Sequence, residues 1–247
     1  MRFQALLFDC DGVLVDSEPI THGVLHAMLH EQGWRLTLQE CVHHFMGRAV
    51  KDQRAMIEHH TQQPLTEAWL TAFRERRNQA LEERLLAVPH IHAAMAALQP
   101  VFADRMACAS GADRFKVELQ LKKVGLHAYF AGRIFSGHEM PRSKPHPDPY
   151  QTAFARLRAH TGRDLIAWRS VAIEDSRWGL VSARDAGLRC VAVTNTYPAA
   201  ELRADADQAA AARRLAHLAH ELEQGPRKGS VLWRLARRAP EAPRGLY

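Results

Sequence analysis

The chain has 247 residues, 47% of them hydrophobic, with four cysteines and a formal net charge of +6. This length and apolar content suffice for one large or two modest globular domains. No apolar run reaches about 18 residues and the cysteines form no CxxC pair, so we expect no membrane segment, no disulfide framework and no zinc site. Residues 1–8 also lack the basic-then-apolar order of a secretory signal, and a cytoplasmic location is therefore expected.

Short apolar runs alternate with helical patterns along most of the chain. Runs typical of buried strands occur at 3–8, 106–109, 171–173 and 190–193, with a weaker one at 133–136. Helical patterns at 115–124 and 150–160 lie between them, and Gly125 and Gly162 are predicted to end these two helices. This alternation predicts an α/β fold with a doubly wound parallel, Rossmann-like sheet.

Residues 17–88 break the alternation, because they show helical periodicity and no convincing strand. Pro19 stands where a first helical turn tolerates proline, and Pro89 closes the interval. We therefore predict a helical insertion at 17–88 within a core formed by 1–16 and 89–223.

The positive charge is concentrated at the C-terminal end. Residues 224–247 contain six basic residues and one acidic residue, whereas the rest of the chain is nearly neutral. This pattern favours a solvated basic tail at 224–247 over a nucleic-acid or membrane-surface contact. The Ala-rich stretch at 209–212 before it predicts ordinary helix. We expect no nucleic-acid or membrane partner, and a monomer or a weak homodimer.

Asp9 and Asp11 follow the first predicted strand, at the end where open α/β sheets bind ligands. Two carboxylates this close can divide their tasks, one ionised as nucleophile or metal ligand and the other carrying a proton as acid/base. Gly12 then permits a sharp turn. The DxDG pattern taken alone is explained as well by a capped turn.

Ser110 and Gly111 follow the next strand, and a hydroxyl with free backbone N–H groups at a helix start is suited to hold a phosphate. In isolation such a pair is more often turn chemistry. Lys144 lies in SKPHPDPY, where three prolines fix the backbone ahead of a helix. Its ammonium is therefore predicted to be held in place for an anion or for crowded carboxylates.

Glu174 and Asp175 end the strand at 171–173, so a second apolar strand terminates in acids. If this strand neighbours the first one, Asp9 and Asp175 face the same space. An all-oxygen site of this kind suits Mg²⁺.

The four segments DCDGVLVDS, ACASG, SKPHPDPY and IEDSRWG resemble, in this order, the motifs of the haloacid dehalogenase superfamily of phosphohydrolases. The resemblance covers residues 3–200 and is to the branch with a small all-helical cap domain inserted after the first motif. It implies that 17–88 is this cap and that the enzyme is a Mg²⁺-dependent phosphatase acting through an aspartyl phosphate.

The resemblance also implies a role for each motif residue. Asp9 would be the nucleophile, and Asp11 would be the acid/base, with its backbone carbonyl on the metal. Ser110, with Gly111 beside it, and Lys144 would hold the transferring phosphoryl group.

On the metal side, the resemblance implies that Asp175 binds Mg²⁺ directly and that Glu174 supports it. Gly47 and Arg48 resemble the cap loop that selects substrate, where Arg48 would bind a distal carboxylate or phosphate. An ordinary surface arginine remains equally open.

The predicted substrate is a small phosphorylated metabolite, such as a sugar phosphate, a phosphogluconate-like acid or phosphoglycolate. The alternative is a sugar-phosphate mutase, whose branch usually has a histidine twelve residues after the nucleophile. That position is Thr21 here, with His22 next to it. His22, His26 and His30 recur every four residues, which favours a partly exposed polar helix face over a metal site.

Overall fold

The computed structural model describes residues 3–46 and 48–203 together with the backbone of residues 208–210. Its centre is a sheet of six parallel strands in the order β3-β2-β1-β4-β5-β6. The strands are β1 (Ala5–Phe8), β2 (Met106–Ser110), β3 (Ile134–Ser136), β4 (Ser170–Glu174), β5 (Arg189–Val193) and β6 (Gln208–Ala210). The predicted parallel Rossmann-like sheet is confirmed.

Ten α-helices lie in the described part of the chain. They are α1 (Glu18–Glu31), α2 (Leu38–Phe45), α3 (Arg54–Thr61), α4 (Glu67–Arg84), α5 (Ile91–Phe102), α6 (Arg114–Lys123), α7 (His127–Phe130), α8 (Asp148–Thr161), α9 (Arg177–Asp185) and α10 (Ala199–Leu202). None of the helices described here has the length and apolarity needed to cross a membrane. The predicted basic tail, 224–247, lies outside the described residues.

The sheet is covered by helices on both faces. Successive side chains of a strand point to opposite sides, and β1 follows this rule. Leu6 and Phe8 pack in one hydrophobic cluster with α5, α6 and α7, while Leu7 packs in another with α8, α9 and α10. Strands β1, β2, β4 and β5 are buried along their whole length, as expected for a doubly wound parallel sheet.

Helices α1–α4 lie between β1 and β2 in the chain and share a hydrophobic cluster of their own, which includes Leu25, Ile57 and Phe73. The chain enters and leaves this group of helices at one place, where Val15 forms a β-bridge with Ala87. The predicted insertion is therefore helical in the part that the structure describes. Its division from the core as a cap domain stays a prediction.

Helix ends follow the predicted signals closely. Asp113 caps α6 by accepting a hydrogen bond of 2.9 Å from the Lys116 N–H group. Gly162 ends α8 with φ of 61°, and Gly125 follows α6 with φ of 71°, both in the left-handed region that favours glycine. The two predicted glycine stops are confirmed.

The helix predicted around 209–212 is wrong where the structure describes it. Residues 208–210 form β6, which pairs in parallel with β5. Alanine has the highest intrinsic helix propensity, but over so few residues this propensity contributes little, and backbone pairing at the sheet edge outweighs it.

The interpretation of the α1 histidines as a partly exposed polar face fits His26 and His30 but is wrong for His22. His22 is buried on the side of the helix that carries Leu25. His26 and His30 are partly buried, and each donates from Nε2 to the Leu36 carbonyl, at 2.9 and 2.8 Å. These contacts tie α1 to the following loop.

Candidate active site

Three neighbouring strands end at the same edge of the sheet, and each carries predicted site residues there. β1 pairs with β2 on one side and with β4 on the other, with Phe8 opposite Ile173. Asp9 therefore follows β1 at the level where β2 ends in Ser110 and β4 ends in Glu174. The strand adjacency on which the metal-site hypothesis depended is observed.

Asp9, Glu174 and Asp175 form a compact group of buried carboxylates, in which one oxygen from each lies within 4.8 Å of the others. Burial and the neighbouring acids raise the pKa of Asp9 to about 8, although Lys144 opposes this shift. Burial and the charges of Asp9 and Glu174 also raise the pKa of Asp175 well above its usual range. This end of the sheet is short of positive charge.

Lys144 places one ammonium beside these acids. Its Nζ lies 2.6 Å from Asp9 Oδ1 and 2.5 Å from Glu174 Oε1. Burial alone lowers the pKa of a lysine, but these two carboxylates raise the pKa of Lys144 above its usual range, so it stays charged. Tyr150 donates a further hydrogen bond of 2.9 Å to the same Glu174 oxygen. The lysine is thus held in place, as its proline-rich segment predicted.

The turn after β4 and the turn after β1 are shaped around the acids. Glu174 Oε2 accepts hydrogen bonds from the Asp175 and Ser176 N–H groups and from the Ser176 hydroxyl. A Cβ atom at Gly179 would overlap the Glu174 carboxylate, and a Cβ atom at Gly12 would overlap that of Asp175. Glycine is therefore required at both positions for the carboxylates to be packed this closely.

Two residues that the sequence reasoning missed contact this end of the sheet, one at Asp175 and one at the turn after β1. The Thr196 hydroxyl donates to Asp175 Oδ2, and Asn195 Nδ2 donates a 3.1 Å hydrogen bond to the Gly12 carbonyl. Both follow β5, a strand next to β4. The rule that ligands bind at the carboxyl ends of parallel strands was the signal that could have identified them.

Asp11 faces a different environment. Its Oδ1 accepts hydrogen bonds from Lys116 Nζ at 2.7 Å, from Gln120 Nε2 at 2.9 Å and from the Ser17 hydroxyl. Burial raises the pKa of Asp11, but these three donors outweigh burial and lower it to about 2. Its carboxylate is not part of the three-carboxylate group. A metal contact of Asp11 through its backbone carbonyl stays a prediction.

Ser110 is buried at the end of β2, and its Oγ accepts a hydrogen bond of 3.1 Å from the Ala112 N–H group. The hydroxyl donates to no other residue in the described part of the chain, so its hydrogen can be donated to an anion. Ser110, Gly111 and Arg48 all line the same cleft as Asp9. The structure therefore places each of the predicted substrate-binding residues around one space.

This cleft has a volume of about 730 Å³, which suits a small molecule. Its walls on the α1–α4 side carry Arg48, Lys51 and Arg74, and its walls on the sheet side carry Trp178 and Tyr197. The three cations form no ion pair with another described residue. They give the cleft a positive side opposite the sheet.

The residues present fit a divalent cation. Hard carboxylate oxygens from Asp9, Asp175 and Glu174 lie together in a buried position, and burial together with the neighbouring acids raises the pKa of both aspartates. Oxygen-only sites of this kind are typical of Mg²⁺ and not of softer metals. Within the described residues this is the single group of acids, histidines or cysteines that is compact enough to hold a metal.

The fold agrees with comparisons to known proteins. A family model described as haloacid dehalogenase-like hydrolase matches residues 3–187. The chain belongs to this family of hydrolases, as its four motifs predicted.

Among its relatives, the chain is 28% identical to the 6-phosphogluconate phosphatase of Escherichia coli over 189 residues, or 76% of this chain and 80% of that protein. It is 24% identical to pyrophosphatase PpaX of Oceanobacillus iheyensis over 193 residues, 78% and 84% of the respective chains. A solved HAD family hydrolase of Deinococcus radiodurans, with bound phosphate and sodium, has a TM-score of 0.71 at 27% identity, covering 92% of this chain and 99% of that one.

Proposed function

We propose that the protein is a Mg²⁺-dependent phosphatase of small phosphorylated metabolites, acting through an aspartyl phosphate on Asp9. The observation that carries this proposal is the convergence of Asp9, Lys144 and Ser110 with a buried carboxylate group at the end of a small-molecule cleft. Relatives named as 6-phosphogluconate phosphatase and pyrophosphatase support it.

In the first step, an Asp9 carboxylate oxygen attacks phosphorus, and the bond from phosphorus to the leaving oxygen breaks. Asp11 gives its proton to that oxygen. In the second step, water attacks the phosphorus of the aspartyl phosphate, Asp11 takes the proton, and Asp9 is released.

Lys144 and Ser110 would reduce the repulsion between the Asp9 carboxylate and an anionic phosphoryl group. Lys144 is charged and already contacts Asp9, while the Ser110 hydroxyl, at the end of the adjacent strand, would donate to a phosphoryl oxygen. Mg²⁺ bound by Asp9 and Asp175, with Glu174 beside them and the Asp11 carbonyl as a further ligand, would supply positive charge for the phosphoryl oxygens and favour ionised Asp9.

We propose further that α1–α4 form a substrate-selecting cap, predicted at 17–88, over a core of 1–16 and 89–223. Arg48, Lys51 and Arg74 line the cleft without an ion pair among the described residues, so they are suited to a second anionic group on the substrate. Phosphogluconate-like acids and phosphoglycolate have such a group, a carboxylate, and so do sugar phosphates that carry an acid in addition to the phosphate. The cytoplasmic location and the monomer or weak homodimer stay predictions.

The test is phosphate release from a panel of phosphorylated metabolites, with Mg²⁺, without metal, and with the Asp9→Asn variant. We expect release that requires both the metal and Asp9. No release, with conversion of a hexose 1-phosphate to its 6-phosphate in the presence of a bisphosphate primer, would establish the mutase alternative instead.

A further inference from the structure

Lys116 is a buried lysine that lines the same cleft as Asp9 and Asp11. It lies on α6, its side chain is 7% exposed, and its Nζ lies 2.7 Å from Asp11 Oδ1. Lysine is almost never buried unless it is paired, because burying an ammonium costs free energy. The pairing with Asp11 therefore explains the position of this side chain.

The two oxygens of the Asp11 carboxylate accept different numbers of hydrogen bonds. Lys116, Gln120 and Ser17 all donate to Oδ1, and none of the hydrogen bonds that the described residues make goes to Oδ2. Three donors on one oxygen fix the orientation of the carboxylate. Since Asp11 lines the cleft, Oδ2 is the oxygen left for exchanging a proton with a bound molecule.

Gln120 is held so that its side-chain amide donates to Asp11. It is fully buried, and its Oε1 accepts from the Cys10 thiol at 3.6 Å while its Nε2 donates to Asp11 at 2.9 Å. The amide orientation is thereby set so that its N–H₂ group faces the carboxylate. Lys116 provides the charge, and Gln120 provides a neutral donor from the next turn of α6.

The start of α6 is itself anchored. Asp113 accepts a hydrogen bond of 2.9 Å from the Lys116 N–H group. It also forms an ion pair of 3.2 Å with Arg77 of α4. The backbone of Lys116 is therefore held by a capped helix end that also contacts the α1–α4 helices. The Lys116 side chain therefore extends to Asp11 from an anchored backbone position.

We propose that Lys116, assisted by Gln120, is a positioning residue for Asp11. It holds Oδ1, so that Oδ2 gives its proton to the leaving oxygen as the Asp9–phosphorus bond forms, and Oδ2 takes a proton from water as that bond breaks. The proposal rests on the proposed phosphatase function and on Asp11 as its acid/base. It assigns Lys116 no direct contact with the phosphoryl group.

The test compares two leaving groups. The kcat/KM value reports the steps up to departure of the leaving group, and an alkyl leaving oxygen needs a proton much more than p-nitrophenolate does. We expect Lys116→Met to lower kcat/KM about 100-fold for a sugar phosphate, the lower end of general acid catalysis. Removing this cation also favours the proton on Asp11, but we expect the lost orientation of Oδ2 to outweigh that gain. With p-nitrophenyl phosphate the loss should be several-fold smaller, and Lys116→Arg should recover part of the sugar-phosphate activity.

A double variant separates positioning from binding. If Lys116 acts through Asp11, adding Lys116→Met to Asp11→Asn causes little further loss. Equal losses with both leaving groups, or losses that multiply in the double variant, would overturn the proposal and indicate a direct phosphate contact. Lys122→Met is the matched control, since Lys122 lies on the same helix, is 60% exposed and pairs only with Glu118 among the described residues.

Folding is checked by circular dichroism of each variant. Should Lys116→Met not fold, Gln120→Met tests the same carboxylate. It should lower kcat/KM by a smaller factor, again more for the sugar phosphate than for p-nitrophenyl phosphate. An equal loss for both substrates would contradict the proposal. Failure of the proposed function is distinct, because the wild-type protein would then release no phosphate. Failure of the positioning role alone leaves an active wild type and an active Lys116→Met variant.

Discussion

Asp9 and Asp11 are separated by one residue, yet the protein surrounds them in opposite ways. Asp9 lies with Glu174 and Asp175 in a group of buried carboxylates, and its pKa is raised to about 8. Asp11 lies against α6, where Lys116 and two neutral donors outweigh burial and lower its pKa to about 2. The difference shows that neighbouring strands and helices, and not the DxD spacing, set the properties of the two acids.

The proposed reaction begins with the reverse distribution of protons, an ionised Asp9 and a protonated Asp11. A divalent cation among the carboxylates favours ionised Asp9. An anionic substrate in the cleft favours the proton on Asp11, because a nearby negative charge raises the pKa of an acid. The metal therefore favours the ionised Asp9 that the first step needs, and the substrate is the component that favours the proton on Asp11.

The largest expected effect comes from removing the nucleophile. Asp9→Asn should lower the rate of phosphate release at least about 1,000-fold, because the covalent step is lost. Asp164→Asn is the matched control, since Asp164 has a side chain that is 84% exposed and pairs with Arg158 on the surface. The measurement is phosphate release with saturating Mg²⁺. Activity of the Asp9 variant within tenfold of wild type would remove Asp9 from the mechanism.

Lys144 and Lys116 pair with different aspartates, and their removal should affect stability unequally. Lys144→Met leaves Asp9 and Glu174 without their common cation in a buried site, which should cost about 3 kcal/mol of unfolding free energy. Lys116→Met leaves Asp11 with Ser17 and Gln120 as donors and should cost less. Urea unfolding of both variants in metal-free buffer measures this, and equal losses would contradict the difference between the two sites.

The two acids also predict opposite effects of pH on stability. Asp9 has a folded pKa of about 8 against an ordinary value of 3.8, so ionising it in the metal-free protein costs stability as pH rises through this range. The contribution of Asp11 runs the other way, since it is present above 3.8 and is lost as pH falls towards 2.

Urea midpoints at about pH 5 and about pH 8, compared between the wild type and Asp9→Asn, report the Asp9 effect, because Asp11 is ionised at both values and the other titrating groups are present in both proteins. The metal-free wild type should lose more stability across this interval than Asp9→Asn does. The same loss in both proteins would show that Asp9 does not carry the raised pKa.

The smallest effect concerns substrate choice at the far side of the cleft. Arg48→Ala should raise KM about tenfold for substrates with a second anionic group and leave KM for p-nitrophenyl phosphate nearly unchanged. Arg76→Ala is the control, because Arg76 pairs with Glu31 and does not line the cleft. Equal KM changes for both kinds of substrate would make Arg48 an ordinary surface arginine.

The sequence predicted the parts of the protein that have a strong local signal. Buried strands are continuous apolar runs, and acids directly after them stand out, so the sheet, Asp9 and Asp175 could be identified. Lys144 was recognisable from its frame of prolines. The family resemblance then added roles that spacing alone left open.

Other residues have no local signal because their importance comes from tertiary contacts. Lys116 and Gln120 are polar residues in the helix predicted at 115–124, and no local pattern marks them as buried. Their partner Asp11 is more than 100 positions away in the chain. Strand β6 depends on pairing with β5 and not on its own alanines. The environment of Asp11 could therefore be found only in the folded structure.

The different roles of Asp9 and Asp11 are tested most directly by a rapid-mixing experiment with Asp11→Asn and p-nitrophenyl phosphate in the presence of Mg²⁺. This leaving group departs without an acid, whereas hydrolysis of the aspartyl phosphate still needs Asp11 as base. We expect a burst of about one p-nitrophenolate per enzyme followed by slow turnover. Mass spectrometry of the quenched protein should find one phosphoryl group on the peptide that contains Asp9. A burst-free reaction, or a phosphoryl group on Ser110 instead of Asp9, would contradict the division of roles between the two acids.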